Sequence, residues 1–331
     1  MSTLSPLVAD MSARAFGLAI ETVGVTRATL AAAIAKAIEG VVTKADDRFK
    51  SYYVTCPNGR KWRIMGTATS LAEANARGWT DKAGEIVSPI LTLADMDHAQ
   101  TVIRAARKAG ARIDASCSVR VQVDARDFDA AAVGRVVADV CNHDEMLDRG
   151  LAIEERRRDS LCKRLPTELR DALIAAAAAA PAGSSVNVLA PVWYGGDEAA
   201  AVHGRTNHYH ESRRHGLNLH SLYYRGTVEF THFNGTLHAG EVKAYVMLAL
   251  GFMSRAKTAR RINLGSGWAR EGATLPTKAV SHFFYDHGLT GEQHAETRRH
   301  LTQRITGAVV APDAELAPLA RRRPLPAPAA R

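Results

Sequence analysis

Cysteine is scarce in this 331-residue sequence, and no two cysteines are spaced as a pair. Cys56, Cys117, Cys141 and Cys162 lie far apart without a C-x-x-C motif, which argues against a zinc ribbon or a disulfide framework and fits a reducing compartment. Long apolar runs are also missing. None approaches the roughly 18–20 residues that span a bilayer, so no membrane partner is expected. The segment Met1–Met11 lacks the basic and apolar regions of a secretory signal, and a cytoplasmic location is the expectation. No DNA- or RNA-binding motif accompanies the formal net charge of +9. The excess is divided between Arg156-Arg157-Arg158 and a Pro/Arg-rich tail carrying Arg321-Arg322-Arg323 and Arg331. These separate clusters suggest a solvated basic surface rather than a nucleic-acid footprint, with a phosphate-rich ligand as the next reading.

What is present is an ordinary globular composition, 46% hydrophobic and 23% charged, with enough chain for one large domain. Alternation of apolar and polar residues marks strands over Arg14–Glu21, Gly84–Leu91 and Ser116–Asp124. The last is the clearest, with Val119, Val121 and Val123 on one face. Tyr52–Thr55 and Trp62–Met65 flank Pro57-Asn58-Gly59 and predict a hairpin. Leu217–Tyr223 and Thr227–Phe233 flank Arg225-Gly226 and predict a second strand pair.

Helical patterns cover Thr26–Ile38, with Thr26 as cap, and Leu93–Ala109, ended by Gly110. Further helices are expected over Ala130–Leu147, an Ala-rich stretch ended by Pro181, Glu241–Lys257, Lys278–His287 and Glu292–Ile305. The mixture lacks βαβ regularity and predicts an α+β fold with a largely antiparallel sheet. Residues 1–310 are expected to form a single domain with a helical insertion at about 149–190. Residues 311–331 are expected to be a disordered tail.

Glu21, Glu85 and Glu229 each sit on a strand-like segment, facing away from its apolar side. Acids so placed can converge on one sheet face, where hard oxygen ligands suit Mg²⁺ or Mn²⁺. The alternative is three unrelated glutamates on a wet surface. Seven of the thirteen histidines fall between His203 and His238. Without cysteine partners, His208, His210 and His215 are read as ordinary polar contacts rather than zinc ligands. Nothing beside Cys117 marks a base, so it is read as structural.

Several segments in order carry a resemblance. They are Phe16-Gly17-x-x-Ile20-Glu21-Thr22, Trp62-x-x-Met65, Glu85-Ile86-Val87-Ser88-Pro89 and Ala115-Ser116-Cys117. Tyr209-His210-x-Ser212-Arg213-x-His215-Gly216-Leu217-Asn218-Leu219 follows, then Gly226-Thr227-Val228-Glu229-Phe230 and Phe233-Asn234-x-Thr236-Leu237-His238. Over about Ala15–Gly307 the chain resembles the amidoligase family of bacteriophages and bacteria, related to glutamine synthetase. The resemblance implies a curved, mainly antiparallel, glutamine-synthetase-like sheet with helices packed on one side. It also implies ATP-dependent joining of a carboxylate and an amine substrate. Glu21, Glu85 and Glu229 would then hold Mg²⁺, while Arg213, Asn218 and Asn234 would contact nucleotide or substrate.

The chain departs from that pattern where chemistry is expected. Ala19 stands at the first position of a Glu-x-Glu pair, and Arg120 and Gln122 replace two histidines. Thr231 replaces an arginine, and Gly66-Thr67 stands where an Arg-Asp pair is usual. The scaffold positions beside them persist. The expectation is therefore an amidoligase-like protein with weakened or lost catalysis, with a non-catalytic pseudoenzyme that binds a partner, and after it a basic nucleic-acid-binding protein, as the alternatives. On this reading Arg120 pairs with Glu21, Glu85 or Glu229 and occupies the space of a metal.

Overall fold

The computed structural model describes residues 5–66, 81–262 and 277–306. The tail expected at 311–331 lies outside them. Eight strands form one sheet: β1 Phe16–Val23, β2 Val41–Lys44, β3 Tyr52–Thr55, β4 Lys61–Met65, β5 Ala83–Val87, β6 Ser118–Asp124, β7 Leu217–Asn218 and β8 Thr227–Asn234. Their order is β2-β3-β4-β5-β1-β6-β8-β7, and every neighbouring pair is antiparallel. This is the α+β architecture expected, a curved sheet with helices packed on one side.

Strand alternation explains why only one face takes the helices. Leu18 and Ile20 of β1, Val119, Val121 and Val123 of β6, Ile86 of β5 and Phe230 of β8 form a continuous buried surface. Helices Arg27–Ala37, Met96–Lys108, Ala130–Asn142 and Ala239–Thr258 build the layer against it. The last of these is apolar nearly all round, with 15 buried residues, as a helix enclosed by others must be. Local signals act as expected at two helix ends. The Thr26 hydroxyl accepts from the Thr29 amide, and Gly110 takes the left-handed conformation (φ 92°) after Lys108.

Three expectations need correction. The stretch Leu217–Tyr223 is not a full strand: β7 is two residues long, and His220–Arg225 is a helix closed by Gly226 at φ 75°. A short apolar run does not by itself distinguish strand from helix. The helix expected over Ala130–Leu147 breaks at His143 into Ala130–Asn142 and Asp144–Leu151. The first strand was expected to bury one face, yet β1 is central and Ala19, Glu21 and Val23 on its other side are also buried. No described helix is long and apolar enough to cross a membrane.

Candidate functional site

The register of the central strands assembles the polar face. Glu21 of β1 lies directly opposite Glu85 of β5, Ala19 opposite Arg120 of β6, and Gln122 opposite Glu229 of β8. Asn218 of β7 also faces Glu229. Residues directly opposite on antiparallel strands share a sheet face, so three carboxylates from three strands come together. They are not on a wet surface: Glu21 is 3% exposed, Glu85 6% and Glu229 7%.

Arg120 holds this cluster. Its guanidinium is hydrogen-bonded to Glu85 Oε1, and Nη2 lies 3.9 Å from Glu21 Oε1. The space it uses lies over β1, where Ala19 presents only a methyl group. Glu21 Oε2 accepts from the Ser118 hydroxyl at 2.7 Å. Both oxygens of Glu229 are taken by amides, Oε2 by Gln122 Nε2 at 2.6 Å and Oε1 by Asn218 Nδ2 at 2.8 Å. Burial, together with the charges of Glu21 and Glu229, pushes the Glu85 carboxyl above its usual range despite Arg120. Burial acts the same way on Glu229, but there Arg120 and the two amides outweigh it and hold the carboxyl below its usual value. Arg120 itself is raised; burial opposes its charge, and the three carboxylates more than compensate.

The remaining candidates occupy the rim. Arg213 lies close enough for its charge to act on Glu229. Asn234 sits on β8 opposite Ser118, where its amide donates to the Ala152 carbonyl at 2.7 Å and accepts from Arg157 Nη1 at 3.0 Å. These contacts anchor the helical segment beside the site. Thr231 donates to the His215 carbonyl at 2.9 Å.

Arg157 belongs to the basic run expected to be solvated. It is 3% exposed and donates to the Thr231 carbonyl at 2.8 Å, while its buried Nε has no partner among the described residues. Its charge acts on Glu21. The sequence signal was weak, since one arginine of three in a row points inward.

A divalent metal does not fit these side chains as they stand. Mg²⁺ requires near-octahedral oxygen ligands at about 2.0–2.1 Å. A guanidinium already bridges Glu85 and Glu21, and Glu229 faces amide donors. Arg120 acts on all three carboxylates, Arg213 on Glu229 and Arg157 on Glu21, so the cluster is partly compensated without a cation, Glu85 least.

Among the described residues, the His208, His210 and His215 side chains form no metal-ligand grouping. The grouping that does have suitable spacing is Asp139, His143 and His287, all buried. There Arg255 and His287 share the Asp139 carboxylate, with His287 Nε2 at 3.1 Å and its Nδ1 on the Phe283 carbonyl. It is an ion network tying helices together, on the opposite side of the sheet from the acidic cluster.

A family model described as a putative amidoligase enzyme matches residues 12–253, which include all eight strands. No curated protein and no solved structure matches the chain.

Proposed function

We propose that this chain, which belongs to the amidoligase family, has exchanged metal- and ATP-dependent bond formation for a metal-free polar cluster, and acts by binding rather than by catalysis. The observation that carries this reading is Arg120, seated on Glu85 and beside Glu21 across the methyl group of Ala19. Carboxylates that serve a metal must be open to it, whereas here a fixed, always-charged guanidinium occupies the position between Glu85 and Glu21. Loss of even one preorganised electrostatic group typically costs about 2.7–4 kcal/mol of transition-state stabilisation. Positions 19, 120, 122 and 231 together remove more than one.

The acids still share one face, so amide formation from a carboxylate and an amine at a rebuilt site is the competing reading. Thermal unfolding with ATP, Mg²⁺ and both together separates the two. At about 100 times Kd a bound ligand would add roughly 2.7 kcal/mol of stability. The expected result is no Mg-dependent shift in the native chain. A shift should emerge in the combined variant Ala19→Glu, Arg120→His, Gln122→His and Thr231→Arg. A clear Mg-ATP shift in the native chain, accompanied by amine-dependent ATP hydrolysis, would restore the ligase reading.

A further inference from the structure

Beside the polar face, two tyrosines stand out from the surface: Tyr209 is 59% exposed and Tyr224 44%. Both rings contact His208, with centroids at 4.6 Å and 5.0 Å. Arg213 lies 5.5 Å over the Tyr209 ring, and Arg225 lies 5.8 Å over Tyr224. Arg213, Tyr209, His208, Tyr224 and Arg225 thus form one continuous strip. It is built from the segment before β7 and the helix His220–Arg225.

Neither arginine has a carboxylate partner among the described residues, whereas Arg14, Arg60, Arg63 and Arg255 each have one. Glu211, the acid within the segment, pairs with Arg214 at 3.2 Å. Among the described residues, His208 Nδ1 is buried without a hydrogen-bond partner. Burial and the charges of Arg225, Arg213 and Arg48 hold its ring below the usual histidine pKa. Arg48 itself lies 4.6 Å over Phe49, so a third guanidinium–aromatic pair stands within electrostatic reach of the strip.

We propose that this strip binds single-stranded nucleic acid, with phosphates on Arg213, Arg225 and Arg48 and bases stacked on Tyr209 and Tyr224. A flat phenol face accepts any base, and an unpaired guanidinium attracts the backbone phosphate. An acidic peptide would engage only the cations and leave both exposed rings uncovered. The proposal concerns a surface beside the acidic cluster and shares Arg213 with it, since that charge also acts on Glu229; it adds a partner of a different chemistry.

Fluorescence anisotropy of the full chain with a labelled 20-nucleotide oligothymidine, from 50 to 200 mM NaCl, tests it. Three phosphate contacts give a slope of log K against log salt of about −2, at roughly 0.7 per phosphate on a single strand. Arg213→Ala with Arg225→Ala should flatten the slope by about 1.4. Tyr209→Ala with Tyr224→Ala should weaken binding about 30-fold or more at fixed salt without changing the slope. Phenylalanine at both positions should retain binding. If the alanine pair melts early, Tyr209→Leu with Tyr224→Leu preserves apolar cover while removing the stacking face. No binding at 50 mM salt overturns the proposal. So does native-like binding by the tyrosine variants, which would assign the affinity to generic basic surface or the Arg321–Arg323 segment. Heparin binding with the same tyrosine dependence would likewise overturn it, because heparin has no bases to stack.

Discussion

Replacing Arg120 with alanine is the sharpest perturbation of the acidic cluster. The substitution removes the guanidinium from Glu85 and from the neighbourhood of Glu21, two carboxylates that face each other across the β1–β5 register. Both are nearly fully buried, so water cannot replace the lost partner. Breaking a buried pair on one side costs about 3–5 kcal/mol. The Arg120 side chain is 22% exposed, which places the expected loss near the low end, about 3 kcal/mol.

For a chain of this size, that corresponds to a fall of roughly 5 °C in Tm. The pH dependence has a defined sign. Glu85 is raised in the folded state, so it binds its proton more readily folded than unfolded, and its unfavourable contribution grows as pH rises through its folded pKa. Removing Arg120 raises it further. The deficit of Arg120→Ala should therefore be largest above neutrality and shrink toward pH 5. Adding Glu85→Gln should recover part of it. Chemical denaturation across pH 5–8 measures both effects. A neutral Arg120→Ala, or a deficit that deepens on acidification, would refute the pairing and the metal-free reading with it.

Two further outcomes follow from other buried charges. Asn218→Ala removes one of the two amides on Glu229 and should cost about 2 kcal/mol in urea denaturation, the scale of a hydrogen bond to a charged group. Asp139 is held well below its usual value: burial opposes its charge, but His143, His287 and Arg255 outweigh burial. A depressed carboxyl contributes stability above its unfolded pKa of about 3.9 and loses it as pH falls further. The native chain should lose stability below about pH 4, and Asp139→Asn should start about 3 kcal/mol lower with a flatter acid limb. An unchanged acid limb in that variant would show that the network does not govern acid stability.

Much of the scaffold was legible because its signals are local. Val119, Val121 and Val123 alternate with Ser118, Arg120 and Gln122, and a period of two fixes a strand and its buried face whatever its neighbours are. Thr26 and Gly110 act on backbone groups within a few residues of themselves. That Glu21, Glu85 and Glu229 point away from the apolar side was likewise contained in the strands that carry them. Local pattern failed where a short run fits two structures, as at Leu217–Tyr223, where the helix ended by Gly226 displaced the expected strand.

The pairing of Arg120 with one of the three acids was expected from the sequence; which acid it meets, and which other charges meet, only tertiary structure decided. The sheet order sets β6 beside β1 and β1 beside β5, so Arg120 reaches Glu85 from 35 residues away, through a register that no single segment encodes. It also turned Arg157 inward from a basic run while its sequence neighbours kept other positions. Likewise it joined Tyr209 and Tyr224 through His208, although they belong to separate elements. Sequence fixes which face a side chain takes on its own strand or helix. Electrostatic balance depends on distances between elements, and only their packing sets those.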